Sequence, residues 1–213
     1  MSESSPGERL NSLLIESGLE PLPTPVTASF EAYLSLLLRW NARVNLTAIR
    51  DTETILSRHF VESIACARAL PEGITTLLDF GSGAGFPGIP ISLCRPEITV
   101  TLAESQGKKA AFLLEVLRTL GIATKVHSAR AELLSGHFDC VVLRAVDKME
   151  SAVKSAAKLV GPGGWLALMT TEPELEHLSQ LLDKPLSWQS LHDLPGGYRR
   201  LLALGHPNIS SPA

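Results

Sequence analysis

The sequence predicts an α/β fold, in which a mostly parallel sheet with an antiparallel final strand follows an N-terminal helical extension. Three observations predict it. Residues from about Pro6 to Leu70 carry helical spacing; from Thr75 onward short apolar runs alternate with amphipathic segments; and a glycine-rich stretch directly follows the first run. A chain of 213 residues, 45% hydrophobic and 19% charged, is long enough for one such core plus a modest extension.

The elements follow in order. Pro21, Pro23 and Pro25 break the chain ahead of a helix through Phe30, Tyr33, Leu34, Leu37 and Leu38, with Thr27 or Ser29 as candidate cap. A further helix is expected from about Thr54 to Leu70, ended by Pro71 and Gly73. The runs TTLLDF, ITVTLAE, TKVHSA, FDCVVLRA and GWLALMT read as strands, and GIPISLCR, GKKAAFLLEVLRTLG and DKMESAVKSAAKLV as the helices between them. Strand–helix repetition of this kind implies a parallel sheet covered on both faces. LSWQSLHDL and RRLLALGH, joined by PGGY, read as a closing antiparallel pair.

The segment from Leu77 to Pro90, LLDFGSGAGFPGIP, carries the chemistry. An apolar strand runs into Asp79, then Gly81, Gly83 and Gly85, then a helix starting near Gly88. Glycines there let the chain turn tightly and a ligand approach the backbone, at the carboxyl ends of the strands, where open α/β sheets bind ligands. Gly83 to Gly88 formally matches the dinucleotide fingerprint GxGxxG. The register Asp79-Phe80-Gly81-Ser82-Gly83-Ala84-Gly85 matches the D/E-x-G-x-G-x-G loop of adenosylmethionine methyltransferases instead. It is favoured because Gly81 follows the strand directly and because Pro87 and Pro90 donate no N–H to a pyrophosphate. Asp79 puts a carboxylate where a cationic ligand is favoured, and Glu104 ends the second strand where an acid accepts from ribose hydroxyls. Ala131 and Glu132 follow the third strand, and Arg144 ends the fourth at the crevice edge. A Rossmann-like nucleoside site is the result.

DFGSGAGFPGIPIS, LAESQGKKAAFL and FDCVVLRAV together resemble the ribosomal RNA small subunit methyltransferase G family, also called glucose-inhibited division protein B. WNARVNLTAIRD and SRHFVESIA resemble that family's N-x-x-x-NLT and R-H-x-x-x-S segments, so the resemblance runs from about Leu34 to Leu202. It implies a class I methyltransferase sheet at 73–208 behind a helical extension at 1–72. It also implies transfer of a methyl group from S-adenosylmethionine to N7 of a guanine in small-subunit (16S) ribosomal RNA. Asp79, Gly81, Gly83, Phe86, Glu104, Ala131, Glu132 and Arg144 are the implied cofactor residues. The chain departs from the family in three places. It has Ala167-Leu168-Met169-Thr170 where many members carry Lys-Gly after the fifth strand, Glu104 where Asp is frequent, and Gly197-Tyr198-Arg199-Arg200 as a loose match to G-x-R.

No Ser-His-Asp set, carboxylate pair or metal cluster appears, and no catalytic side chain is expected. N7 of guanine has a lone pair and no proton, so alignment suffices and Arg144 is assigned a positioning role. The net charge of −3 means that attraction to RNA must be local. The candidates are Arg43, Arg58, His59, Lys108, Arg199 and Arg200; between Arg39 and Arg68 five arginines face three acids. Tyr33 and Trp40 read as core. Cys66, Cys94 and Cys140 have no CxxC spacing and read as reduced packing residues. With no apolar run near ~20 residues and a polar N-terminus, the expectation is a cytoplasmic protein without a membrane or metal, a monomer partnered by small-subunit RNA or the 30S particle. The alternatives are a nicotinamide-dependent oxidoreductase, a small-molecule methyltransferase and a non-catalytic nucleoside- or RNA-binding module.

Overall fold

The computed structural model describes residues 4–146, 148–181, 187–196 and 199–207. Asp147, Leu186, Gly197, Tyr198 and residue 208, all invoked above, lie outside the described residues.

Helix α1 (Pro6–Glu16) starts at a capping box. Ser5 Oγ accepts from the Glu8 amide at 3.2 Å and Glu8 Oε2 accepts from the Ser5 amide at 2.8 Å. Helix α2 (Thr24–Asn41) starts at Pro23, earlier than a cap at Thr27 or Ser29 would allow. Pro25 is tolerated because first-turn amides have no intrahelical acceptor, and the hydroxyls of Thr27 and Ser29 bond back to Pro23 O and Pro25 O from inside the helix. The next helix opens as α3 (Thr52–Thr54), passes through a π-helical stretch at Ile55–Val61 and continues as α4 (Glu62–Ala69). A π-helical segment this long is rare and recurs at functional sites.

Seven strands form one sheet in the order β3-β2-β1-β4-β5-β7-β6. β1 (Thr76–Phe80), β2 (Thr99–Ala103), β3 (Lys125–His127), β4 (Phe138–Arg144) and β5 (Val160–Thr171) pair in parallel. β7 (Arg200–His206) lies antiparallel between β5 and β6 (Ser187–Asp193). The order reverses between β1 and β4, which makes their carboxyl ends the switch point where such sheets bind ligands.

The strands alternate with period two. Leu77, Val100, Leu102 and Val142 face α5 (Gly88–Cys94), α6 (Gly107–Leu120) and the N-terminal helices in one buried cluster. Leu78, Val141, Leu143, Leu166 and Leu168 face α7 (Met149–Ala157) and α8 (Glu172–Leu181) in another. α8 has no counterpart among the helices expected from the sequence. The N-terminal helices share the first cluster through Phe30, Tyr33 and Phe60, each at most 1% exposed, so they are part of the core. Trp40 packs edge-on to Phe112 and donates to Glu115 Oε2 at 3.0 Å. Cys66 and Cys140 are buried thiols, Cys94 is half-buried, and burial pushes Cys66 up to about 12. No described helix is long and apolar enough to cross a membrane.

Candidate active site

The glycine loop leaves β1 and hooks onto its neighbour. The amides of Gly81 and Ser82 both donate to Ala103 O at 3.0 Å. Gly81, Gly83 and Gly85 adopt φ of 75°, 58° and 95°, a region that a Cβ disfavours. Gly85 is also tightly enclosed, since a Cβ there would collide with Ile89 Cδ1 and lie 2.8 Å from the Tyr33 hydroxyl. The loop forms the floor of a cleft of about 600 Å³, a size suited to a nucleoside ligand.

Of the sequence-derived cofactor residues, Gly81, Gly83, Phe86, Glu104, Ala131, Glu132 and Arg144 all line that cleft. Glu104 is 6% exposed, and its oxygens take one amide from each side: Gly83 N–H to Oε2 at 2.9 Å and Gln106 N–H to Oε1 at 2.7 Å. Asp79 points elsewhere. It is 1% exposed, and its Oδ2 accepts the Gly88 amide at 3.0 Å, so it anchors the start of α5 instead of lining the cleft. Its Oδ1 has no hydrogen-bond partner among the described residues, and burial raises its carboxyl to about 7.

The N-terminal region supplies the opposite wall through Leu46 and Thr47, on the loop after α2, and through His59. Tyr33 reaches from α2 to the glycine loop, donating to Ala84 O at 2.5 Å and stacking on Phe86. His59, on the π-helical stretch, also stacks on Phe86, with ring centroids 4.7 Å apart. Burial and the charges of Arg144, Arg58 and Arg200 lower His59 to about 3, so its imidazole is neutral near pH 7.

Arg144 lines the cleft, but its fork is engaged inside the protein. Nη2 donates to Glu62 Oε2 at 2.8 Å and to Arg58 O at 2.5 Å, and Nη1 donates to Ser63 Oγ at 3.2 Å. Glu62 is fully buried and is shared. Arg58 Nε donates to its Oε1 at 2.9 Å, and Arg200 Nε sits 3.2 Å from the same oxygen, off hydrogen-bond geometry. Burial lowers Arg144 to about 10, and Glu62 works against that shift. This cluster joins the π-helical stretch, the end of β4 and the start of β7.

A family model for rRNA small subunit methyltransferase G matches residues 26–192. The chain belongs to this family. The "Ribosomal RNA small subunit methyltransferase G" of Halorhodospira halophila is 40% identical over 189 residues, covering 88% of this chain and 87% of that protein. The protein of the same name from Xanthomonas campestris pv. campestris strain B100 is 37% identical over 204 residues, covering 91% and 94%. Among solved structures, the mitomycin 7-O-methyltransferase MmcR aligns with a TM-score of 0.59 at 15% identity over 87% of this chain and 74% of that one. A predicted O-methyltransferase from Agrobacterium tumefaciens aligns at 0.58 and 18%, over 70% and 81%. These two likenesses concern the fold.

Within this family member the six candidate RNA residues separate into two groups. Arg43, Lys108 and Arg199 are exposed, and Lys108 sits in the first turn of α6. Arg58 and Arg200 are tied to Glu62, and His59 belongs to the cleft wall. Three further cations, Lys109, Arg130 and Lys148, line the cleft. Where many family members carry Lys-Gly, Met169 and Thr170 are buried, and Thr170 Oγ1 donates to Glu174 of α8 at 2.6 Å.

Proposed function

We propose that the cleft binds S-adenosylmethionine and that the protein transfers its methyl group to N7 of a guanine in small-subunit ribosomal RNA. Membership of the family supports the reaction and the substrate. The observation that carries the cofactor assignment is the state of the amides where the glycine loop enters α5. Gly88 N–H is spent on Asp79 and Ile89 N–H on Gly85 O, while Pro87 and Pro90 have none. A pyrophosphate would find no donor there, so the nicotinamide alternative is disfavoured, whereas a nucleoside sulfonium needs none. Glu104 fits the ribose, since each carboxylate oxygen keeps a lone pair beyond its amide partner.

When bound, this group supplies an electrophilic methyl on a cationic sulfur. The residues of the chain hold and orient. Gly81 and Gly83 keep the floor free of side chains, Glu104 fixes the sugar, and Phe86 and His59 close one wall. No group needs to take a proton from N7, and His59, lowered to about 3, is too weak a base near neutral pH to take one. Arg144 acts through its neighbours, holding His59 and the π-helical stretch against the end of β4. Arg43, Lys108 and Arg199 are the exposed cations proposed to meet RNA phosphate, with Arg58 and Arg200 supporting from beneath. The helices of 1–72 and the sheet of 73–208 share a core and are proposed to work as one unit. The cytoplasm, where small subunits are available, is the proposed location, and a monomer the acting form, because one chain supplies every described wall of the cleft.

Calorimetry with adenosylmethionine and NADH tests the cofactor. Binding of the first alone is expected, and loss of that binding in Gly83→Val, whose added atoms enter the cleft at φ 58°. NADH binding without adenosylmethionine binding would overturn the assignment.

A further inference from the structure

The loop after α2 carries a hydroxyl whose polarity is set by its neighbours. Asn41, 5% exposed, holds this loop: its Oδ1 accepts the amides of Leu46 at 2.9 Å and Thr47 at 3.1 Å. Thr47 Oγ1 lies 2.8 Å from His59 Nε2 and accepts the Ile49 amide at 3.2 Å. The other ring nitrogen, Nδ1, faces Arg144 Nη2 at 3.4 Å. A guanidinium only donates, so a proton on Nδ1 would set donor against donor. The imidazole proton therefore sits on Nε2 and is donated to Thr47. A hydroxyl has two acceptor positions, and His59 and Ile49 fill both. Thr47 is left with one hydrogen to give, and among the described residues none accepts it. Thr47 lines the cleft.

We propose that Thr47 selects guanine over adenine at the methyl-accepting site by donating its hydroxyl hydrogen to the purine O6, with Arg144 and His59 as positioning residues that hold it as a donor. This rests on the guanine-N7 reading above. Guanine presents two acceptors side by side, N7 and O6, so a donor can grip O6 and leave the N7 lone pair uncommitted. Adenine presents an amino group there, and donor would meet donor. Thr47 could not reverse its polarity without moving Arg144, which Glu62, Ser63 and Arg58 O hold in place.

The test uses the full-length protein and small subunits reconstituted with guanine, inosine or 2-aminopurine at the methylated position. All three carry N7; inosine keeps O6 and 2-aminopurine lacks it. Wild-type single-turnover methylation should be similar for guanine and inosine and about 10- to 100-fold slower for 2-aminopurine, the range for one specific base contact. Thr47→Val should slow guanine to the 2-aminopurine rate with no further loss on 2-aminopurine, and Thr47→Ser should restore the preference. Adenosylmethionine affinity should stay at the wild-type value in both variants; Tm should hold in Thr47→Ser and fall in Thr47→Val, which leaves His59 Nε2–H and the Ile49 amide without their acceptor. Nitrogen NMR of His59 should show the Nε2–H tautomer from about pH 5 to 8. Equal wild-type rates on guanine and 2-aminopurine, an intact guanine preference in Thr47→Val, or a proton on Nδ1 would each overturn the proposal. A wild-type protein that methylates none of the three would overturn the guanine-N7 reading, and this proposal with it.

Discussion

Replacing Glu62 with leucine removes the carboxylate that Arg58, Arg144 and Arg200 share. The three cations do not suffer equally. Arg58 and Arg200 are 26% and 17% exposed and can turn toward water, whereas Arg144 is 7% exposed and cannot. The loss is therefore set by one stranded guanidinium, and removing one partner of a buried ion pair costs about 3–5 kcal/mol. For a chain of this size that is a fall in Tm of roughly 6–20 °C. Arg144→Met should cost less, about 1–3 kcal/mol, because Glu62 keeps Arg58 and Arg200. The double variant should lose less than the sum, since it leaves neither half stranded beside the other. Urea unfolding of the three variants measures this cycle. A Glu62→Leu loss below about 1 kcal/mol, or strict additivity, would refute the view that Glu62 is what neutralises Arg144.

Other consequences follow from the same geometry. Gly85→Ala should destabilise by about 2–4 kcal/mol in urea unfolding, because the added methyl meets Ile89 and the Tyr33 hydroxyl at φ 95°. Asp79 titrates near 7 in the fold and near 3.8 as a free carboxyl, so its contribution is full below pH ~4 and lost as pH rises through ~7. Asp79→Asn keeps an acceptor for Gly88 N–H, so its stability relative to wild type should climb between pH ~4 and ~7, by at most about 4 kcal/mol; a pH-independent difference would show that Asp79 ionises normally. Reversing Arg43 and Lys108 together should weaken binding to small subunits, lower the salt slope by about two and spare adenosylmethionine affinity, read by filter binding and calorimetry.

The alternation of strands and helices was legible because buried parallel strands need short apolar runs, and Leu77–Phe80 and Cys140–Leu143 are such runs. The cleft floor was legible because glycine is the residue that tolerates the φ values seen at Gly81 and Gly83. Three kinds of feature were not. Among its described side chains α8 buries Leu175 and Leu178, in a polar stretch opened by Glu172 and Pro173, too few to show a period. The π-helical stretch at Ile55–Val61 has no sequence signature, yet it decides where Arg58 and His59 sit. Long-range pairing was also hidden. Glu62 reads as an ordinary helical acid and Thr47 as a loop residue until the fold brings Arg144, 82 residues away in sequence from Glu62, against both His59 and Glu62. Arg144 itself was placed at the crevice edge as expected, but the acceptors for its fork lie on α4 and the π-helical stretch, and only tertiary contact reveals them.

The central claim is a methyl transfer from adenosylmethionine to guanine N7 in small-subunit RNA. Purified protein incubated with isotopically labelled adenosylmethionine and small subunits from cells lacking it, followed by mass spectrometry of the digested RNA, tests that claim directly. The account predicts one labelled 7-methylguanosine per subunit, absent when Gly83→Val replaces the wild-type protein. Label on any other atom or nucleoside, or no label with adenosylmethionine bound, would contradict it.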